Sequence, residues 1–175
     1  MKKILIVVDY QNDFVDGSLG FAGAELLDGV ICSRIEQTLA EGGELVFTYD
    51  THGEDYPNTH EGRSLPVTHC QRGSHGWALY GKTADYLGRA ARCFEKPTFG
   101  SLELAQYLRD GGYEEIELCG LVSNICVVSN VLLARAACPD ARIVVHANAT
   151  GSADPAAHEA ALTVMRSVFV EVVEG

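Results

Sequence analysis

Short runs rich in Val, Ile and Leu recur along the chain at Ile4 to Val8, Glu44 to Tyr49, Arg92 to Glu95, Glu115 to Cys119, Arg142 to His146 and Val168 to Val172. Most are continuously apolar rather than alternating, the pattern of strands buried on both faces. Between most of them, apolar positions return at helical spacing over Leu26 to Glu41, Ser101 to Gly111, Asn124 to Ala137 and Pro155 to Ser167. Strands alternating with helices predict an α/β three-layer sandwich, a mostly parallel six-stranded sheet with helices on both faces. The punctuation agrees. Asp154 is placed to cap the last helix and Pro155 sits at its first position, where a missing N–H costs nothing. Gly111 and Gly112 close the second helix in a comparable way. With no repeat, low-complexity tract or linker, residues 1–175 read as a single domain.

One stretch breaks the alternation. Thr51 to Lys82 is rich in Gly, His, Pro and Ser with little periodicity, and a loop of that length inside a compact domain is usually functional. In an open α/β sheet, ligands bind beyond the carboxyl ends of the strands. Asp9 ends the first strand, Asp50 and His52 follow the second, Lys96 the third, and Cys126 comes just after the fourth. All five therefore fall on one edge of the sheet.

Each has a chemical and a bland reading. Cys126 lies where a strand turns into a helix, and unpaired N–H groups there favour a thiolate, lowering a thiol pKa from about 8.5 to about 3.5–7.5. Most free cysteines, however, are small buried apolar residues. Asp9 ends an apolar strand, where a carboxylate is costly unless solvated, paired or functional. It suits a base, although Asp13 and Asp16 nearby have turn-shaping as their simpler role. Lys96, held extended by Pro97, suits charge pairing and oxyanion stabilisation; most lysines are simply solvated. Asp50 and His52 are two apart and point the same way at a strand end. With His69 from the long loop they make an Asp, His, His set suited to a divalent ion, Zn2+, Mn2+ or Fe2+. His60 is an additional candidate ligand, and solvent-exposed loop histidines are the alternative. Phe14, Trp77 and Phe99 are candidates to wall a pocket for a flat ring, or to pack a core.

The formal charge of -11 works against nucleic acid or anionic membrane partners, which Lys and Arg clusters attract, and favours a small-molecule substrate. Lys2 and Lys3 precede five apolar residues before Asp9, too few for a signal-peptide core or a membrane span. A cytoplasmic protein is the expectation, with its six scattered cysteines kept as thiols. The first strand leads into DYQNDFVDG rather than a GxGxxG turn, against a dinucleotide-binding domain.

In these residues the chain resembles the isochorismatase-like cysteine hydrolases, and within them the nicotinamidase-related amidases. VVDYQNDFVDGSL, FTYDTH, LPVTHC, EKPTFGS and CGLVSNICVVSNVLLA stand in the family's order and spacing over nearly the whole chain. The resemblance implies an isochorismatase-like, Rossmann-like fold and hydrolysis of a small carboxamide to acid and ammonia through a thioester. It assigns Asp9, Lys96 and Cys126 as the catalytic triad and Asp50, His52 and His69 as ligands of a divalent metal, Zn2+ foremost. It also implies a cis peptide between Leu121 and Val122, an oxyanion hole from the N–H groups of Val122 and Cys126, a pocket position for Phe14, and a homo-oligomer. One departure stands out: the family's Trp-Pro pair before the metal-loop histidine is replaced by Leu65-Pro66-Val67-Thr68-His69, leaving Trp77 as the candidate replacement. Three alternatives stay open: vinyl ether cleavage on the same fold, hydrolysis of a carbamoyl compound, and a non-catalytic binding role.

Overall fold

The computed structural model describes residues 1–174. Six strands, β1 (Lys3–Val8), β2 (Glu44–Asp50), β3 (Arg92–Lys96), β4 (Glu115–Leu121), β5 (Arg142–Gly151) and β6 (Glu171–Val173), form one sheet in the order β3-β2-β1-β4-β5-β6. Every neighbouring pair is parallel, so the sheet is wholly rather than mostly parallel. The reason lies in the connections, since each strand is followed by a long crossover and only parallel strands need one. The α-helices are α1 (Asn12–Val15), α2 (Leu27–Ala40), α3 (His60–Ser64), α4 (Leu102–Gly111), α5 (Val128–Ala137) and α6 (Pro155–Ser167).

The period of two along a strand divides the core into two layers. Ile4, Ile6 and Val8 of β1 face α4, α5 and α6, with Leu104, Val131 and Leu162 packed against them. Leu5 and Val7 face the other way, against Ile31 and Ile35 of α2 and Phe14 of α1. No helix is long and apolar enough to cross a membrane among the described residues.

Three elements depart from their predicted bounds by more than two residues. β5 runs on to Gly151 rather than stopping at His146, because the register shifts between Leu118 and Gly120 and the polar continuation then pairs Gly120 with Thr150. An apolar run cannot reveal a strand extended through a bulge. Gly120 itself has φ +105, and a Cβ there would lie 2.0 Å from Val8 O, so only glycine lets β1 and β4 approach this closely at their carboxyl ends. The last strand was expected over Val168 to Val172. Instead α6 ends at Ser167, Phe169 takes φ 62, and pairing begins at Glu171. Val168 and Val170 are apolar because they pack on the core, not because they pair. Finally, the helix expected from Asn124 opens with a π turn, Ser123–Val127, in which Val127 N–H donates to Val122 O at 3.1 Å.

Glu117, in the middle of β4, has a side chain only 2% exposed. Arg34 donates to it through Nε at 2.6 Å and Nη2 at 2.9 Å, and His146 Nε2 lies 3.1 Å away. Burial pushes this carboxyl up, but the bonds from His146 and Arg34 outweigh it and hold the pKa at about 2. A carboxyl depressed below its unfolded value of about 4.3 stabilises the fold fully above that pH, and the contribution fades as pH falls toward 2. Urea unfolding followed from pH 5 to pH 2 is therefore expected to show a loss of about 3 kcal/mol from this group. Glu117→Gln should flatten that part of the profile, and an unchanged slope would reject the assignment.

Candidate active site

The carboxyl edge of the sheet gathers side chains from four strand ends. Asp9 follows β1 directly and takes φ 43, a left-handed conformation uncommon for a residue with a side chain and often found at functional sites. Its carboxylate is wholly buried. Thr48 Oγ1 donates to Oδ1 at 2.6 Å, and Lys96 Nζ lies 2.5 Å from Oδ2. Oδ2 is paired with this ammonium, and a carboxylate oxygen keeps a second lone pair able to take a proton. Lys96, at the end of β3, is itself 2% exposed. Its ammonium also donates to Thr98 O at 3.0 Å and lies 3.7 Å from Cys126 Sγ. Acid, amine and sulfur, drawn from three distant parts of the chain, thus meet at one point.

Their charges are coupled. Burial pushes Asp9 up, with Lys96 pulling against it, and the net direction is upward. Burial also works against the Lys96 cation, but Asp9, Cys126 and Asp50 outweigh it and hold the proton on the amine. For Cys126, burial raises the thiol well above its ordinary value; Lys96 opposes this only in part, and Asp9 and Asp50 add to the rise. The helix start alone predicts a lowered thiol pKa. The structure reverses that direction because Cys126 is buried and the charges of Asp9 and Asp50 add to the rise.

Beside this trio, Asp50 ends β2 with its backbone gripped by the buried Gln11. Gln11 Oε1 accepts from Asp50 N at 2.8 Å and Gln11 Nε2 donates to Asp50 O at 2.9 Å. A single parallel bridge between His52 and Gln71 pins the long loop to the end of β2 and brings His69 alongside. Asp50 Oδ2 lies 3.1 Å from His52 Nε2 and 3.2 Å from His69 Nε2. Glu61 Oε1, from α3, lies 3.7 Å from both imidazoles. These four donor atoms all fall within 4.8 Å of one another, a cluster able to hold a metal ion.

The donor chemistry fits a divalent cation. His69 Nδ1 lies 2.7 Å from Val67 O; since a carbonyl only accepts, Nδ1 carries a proton, and in the neutral ring Nε2 is the atom that would face an ion. Burial pushes Asp50 up, yet contacts with His52, His69 and Lys96 hold it below the usual carboxylate range. Burial pushes His69 down, and its bonds to Asp50 and Val67 with the charge of Glu61 more than reverse this. Two carboxylates facing two imidazole nitrogens in a buried cage call for positive charge at their centre.

Glu61 was not among the candidates, since a lone glutamate one residue past His60 carries no spacing signal. His60 does not join the cluster. It lines the neighbouring cleft, about 570 Å3, together with Glu61, Leu65, Pro97, Phe99 and Ile125. Phe99 therefore reaches the cleft wall. Phe14 is buried, its ring centre 5.8 Å from that of His69. Trp77 lies elsewhere: it packs against Tyr49 at 4.8 Å and donates Nε1–H to Thr51 Oγ1 at 2.9 Å, so it does not stand in for the missing loop tryptophan on this wall. Asp13 shapes the loop as its simpler role suggested, accepting from Cys70 N at 2.7 Å. The peptide between Leu121 and Val122, which leads into the Cys126 turn, is cis.

Comparison with known proteins matches residues 3–175 to the isochorismatase domain family. A nicotinamidase/pyrazinamidase of Mycobacterium tuberculosis is 30% identical over 187 residues, with 98% of each chain covered. The crystal structure of a nicotinamidase from Bacillus subtilis superposes with a TM-score of 0.87 at 31% identity, covering 99% of this chain and 100% of that one. A pyrazinamidase of Pyrococcus horikoshii in complex with zinc superposes with a TM-score of 0.86 at 25% identity, with 100% of each chain covered.

Proposed function

The chain belongs to the isochorismatase family, and from that premise we propose that it is a cysteine-dependent amidohydrolase of the nicotinamidase type. It converts a small carboxamide, nicotinamide foremost, to the acid and ammonia through a thioester on Cys126. The observation that carries this reading is the buried Lys96 ammonium, 2.5 Å from Asp9 and 3.7 Å from Cys126.

A raised thiol pKa is compatible with this chemistry because the proton need not leave the site. Asp9 carboxylate, Lys96 ammonium and Cys126 thiol sum to zero charge; after transfer, neutral Asp9, ammonium and thiolate also sum to zero. Burial that opposes releasing a proton to water does not oppose moving it between two buried partners. Asp9 accepts the proton, and the Cys126 thiolate attacks the amide carbon. The N–H groups of Val122 and Cys126, at the opening turn of a helix where such groups lack helical partners, hold the tetrahedral oxyanion. Asp9 then returns the proton to the departing nitrogen, which leaves as ammonia. Water attacks the thioester, Asp9 takes its proton, and that proton goes back to the sulfur as the acid departs.

Asp50, His52, Glu61 and His69 are the residues proposed to hold a divalent ion, zinc by the nature of the donors. Such an ion supplies a Lewis-acid contact for a ring nitrogen of the substrate. Leu65, Phe99 and Ile125 offer the flat apolar wall for the ring. Six cysteines scattered without a CxxC pair are the sequence feature that supports a reducing, cytoplasmic setting.

Ammonia release from nicotinamide and a panel of carboxamides tests the reading directly. Nicotinamide should be turned over, and removal of metal by dipicolinate should lower kcat/KM by about 100-fold or more, restored by zinc. No ammonia from any carboxamide would reject the amidase, and unchanged kinetics in metal-free protein would reject the metal site.

A further inference from the structure

Asn130 lies one helical turn beyond Cys126 on α5 and is 2% exposed. Its side chain makes three bonds. Nδ2 donates to Cys126 O at 2.8 Å and to Phe99 O at 3.1 Å, and Oδ1 accepts from Ser101 N at 3.0 Å. The last two straddle Gly100, so the carboxamide grips the β3–α4 connection as a neighbouring strand's peptide would, one donor and one acceptor against a C=O and an N–H two residues apart. The first bond ties the same side chain to the carbonyl of the residue that carries the sulfur. Ser101 in turn caps α4, its Oγ accepting from Leu104 N at 3.0 Å.

The gripped segment begins at Lys96 and carries Phe99. Only Pro97, Thr98 and Phe99 separate the ammonium-bearing residue from Gly100, and Lys96 Nζ itself bonds to Thr98 O within that turn. The segment is also seated close on α5, since a Cβ at Gly100 would come within 2.7 Å of Leu133 Cδ1. One buried amide therefore sits at the junction of the nucleophile's helix, the lysine's loop and the cleft wall. We infer that Asn130 is a positioning residue for the reaction, setting the separation of Lys96 from Cys126 and the seat of Phe99 on the cleft.

This rests on the roles proposed for Lys96 and Cys126, and two readouts keep the two readings apart. One is turnover of nicotinamide; the other is the rate at which iodoacetamide alkylates Cys126, followed by mass spectrometry of the Cys126 peptide, which needs the thiol's surroundings but no substrate. Asn130→Ala removes all three bonds. Asn130→Ser keeps one, because a serine hydroxyl in a helix bonds back to the carbonyl four residues earlier, here Cys126 O, and cannot reach the loop. Leu45→Ala, in the core at the opposite end of the sheet, serves as a destabilised control with the site intact.

In the full chain, both Asn130 variants are expected to lose about 10- to 100-fold in kcat, the scale of a misplacement of about 1 Å among reacting groups, and to alkylate Cys126 several-fold more slowly. Leu45→Ala should keep wild-type values in both assays below its melting temperature. If Asn130→Ala does not fold, Asn130→Ser decides. Asn130→Ser at wild-type rates would reduce Asn130 to a partner of the Cys126 carbonyl and overturn the inference, as would equal slowing by Leu45→Ala. Should the wild type release no ammonia from any carboxamide, the proposed function fails; slowed alkylation in the Asn130 variants alone would still uphold the clamp.

Discussion

Cys126→Ala is expected to lower kcat for amide hydrolysis by at least about 10^4-fold, the scale seen when a covalent nucleophile is removed and only binding and oxyanion contacts remain. The fold should survive. Cys126 contributes one small sulfur to the core facing α4, α5 and α6, and losing it should cost on the order of 1 kcal/mol, a few degrees in melting temperature. Two measurements bear on the same point. Steady-state ammonia release gives the loss in rate, and mass spectrometry of acid-quenched wild-type protein should reveal the acyl adduct on the Cys126 peptide. Turnover within about tenfold of wild type in the alanine variant would remove Cys126 from the nucleophile's role.

The second large effect concerns the ion pair beneath the sulfur. Asp9 is 0% and Lys96 2% exposed, so Lys96→Ala leaves a buried carboxylate with only neutral side-chain partners, Thr48 and the Cys126 thiol. Breaking a buried pair from one side costs about 3–5 kcal/mol, because the surviving charge loses its compensation. Removing both charges returns much of that. Stability and activity should therefore part company across the cycle. By urea unfolding, Lys96→Ala should be far less stable than the Asp9→Ala, Lys96→Ala double variant. By ammonia release, both should be about 100- to 10000-fold slower than wild type, the value of a positioned general acid–base. Equal stabilities for the single and double variants would mean that the pair is not charged in the folded protein. Recovery of activity in the double variant would contradict the proton transfer through Asp9.

The candidate site was partly legible because its chemistry sits at positions that local patterning marks. Asp9 interrupts an apolar strand, Lys96 follows one before Pro97, and Asp50 with His52 keeps the two-residue spacing that points side chains the same way. Polar residues at such places stand out, and the rule that ligands gather at the carboxyl edge of a parallel sheet joins them. Glu61, Gln11 and Asn130 were not legible in this way. Each is a common polar residue in an ordinary local setting, and its role comes from partners far away in the chain: Gln11 from Asp50 and Trp77, Glu61 from His52 and His69, Asn130 from Phe99 and Ser101. Trp77 shows the converse, since its place in the metal loop suggested the cleft while its ring lies on Tyr49.

The amino-acid pattern by itself determined the alternation of strands and helices, the edge at which polar groups collect and the residue types that meet there. These follow from short-range rules of periodicity, capping and turn chemistry that act within one element. Only the tertiary structure decided which distant side chains touch, that β5 continues past a bulge, and that the Cys126 thiol is raised rather than lowered. Those outcomes depend on burial and on charges brought together from across the fold, and Coulomb and desolvation energies are functions of distance in space, not of separation along the chain.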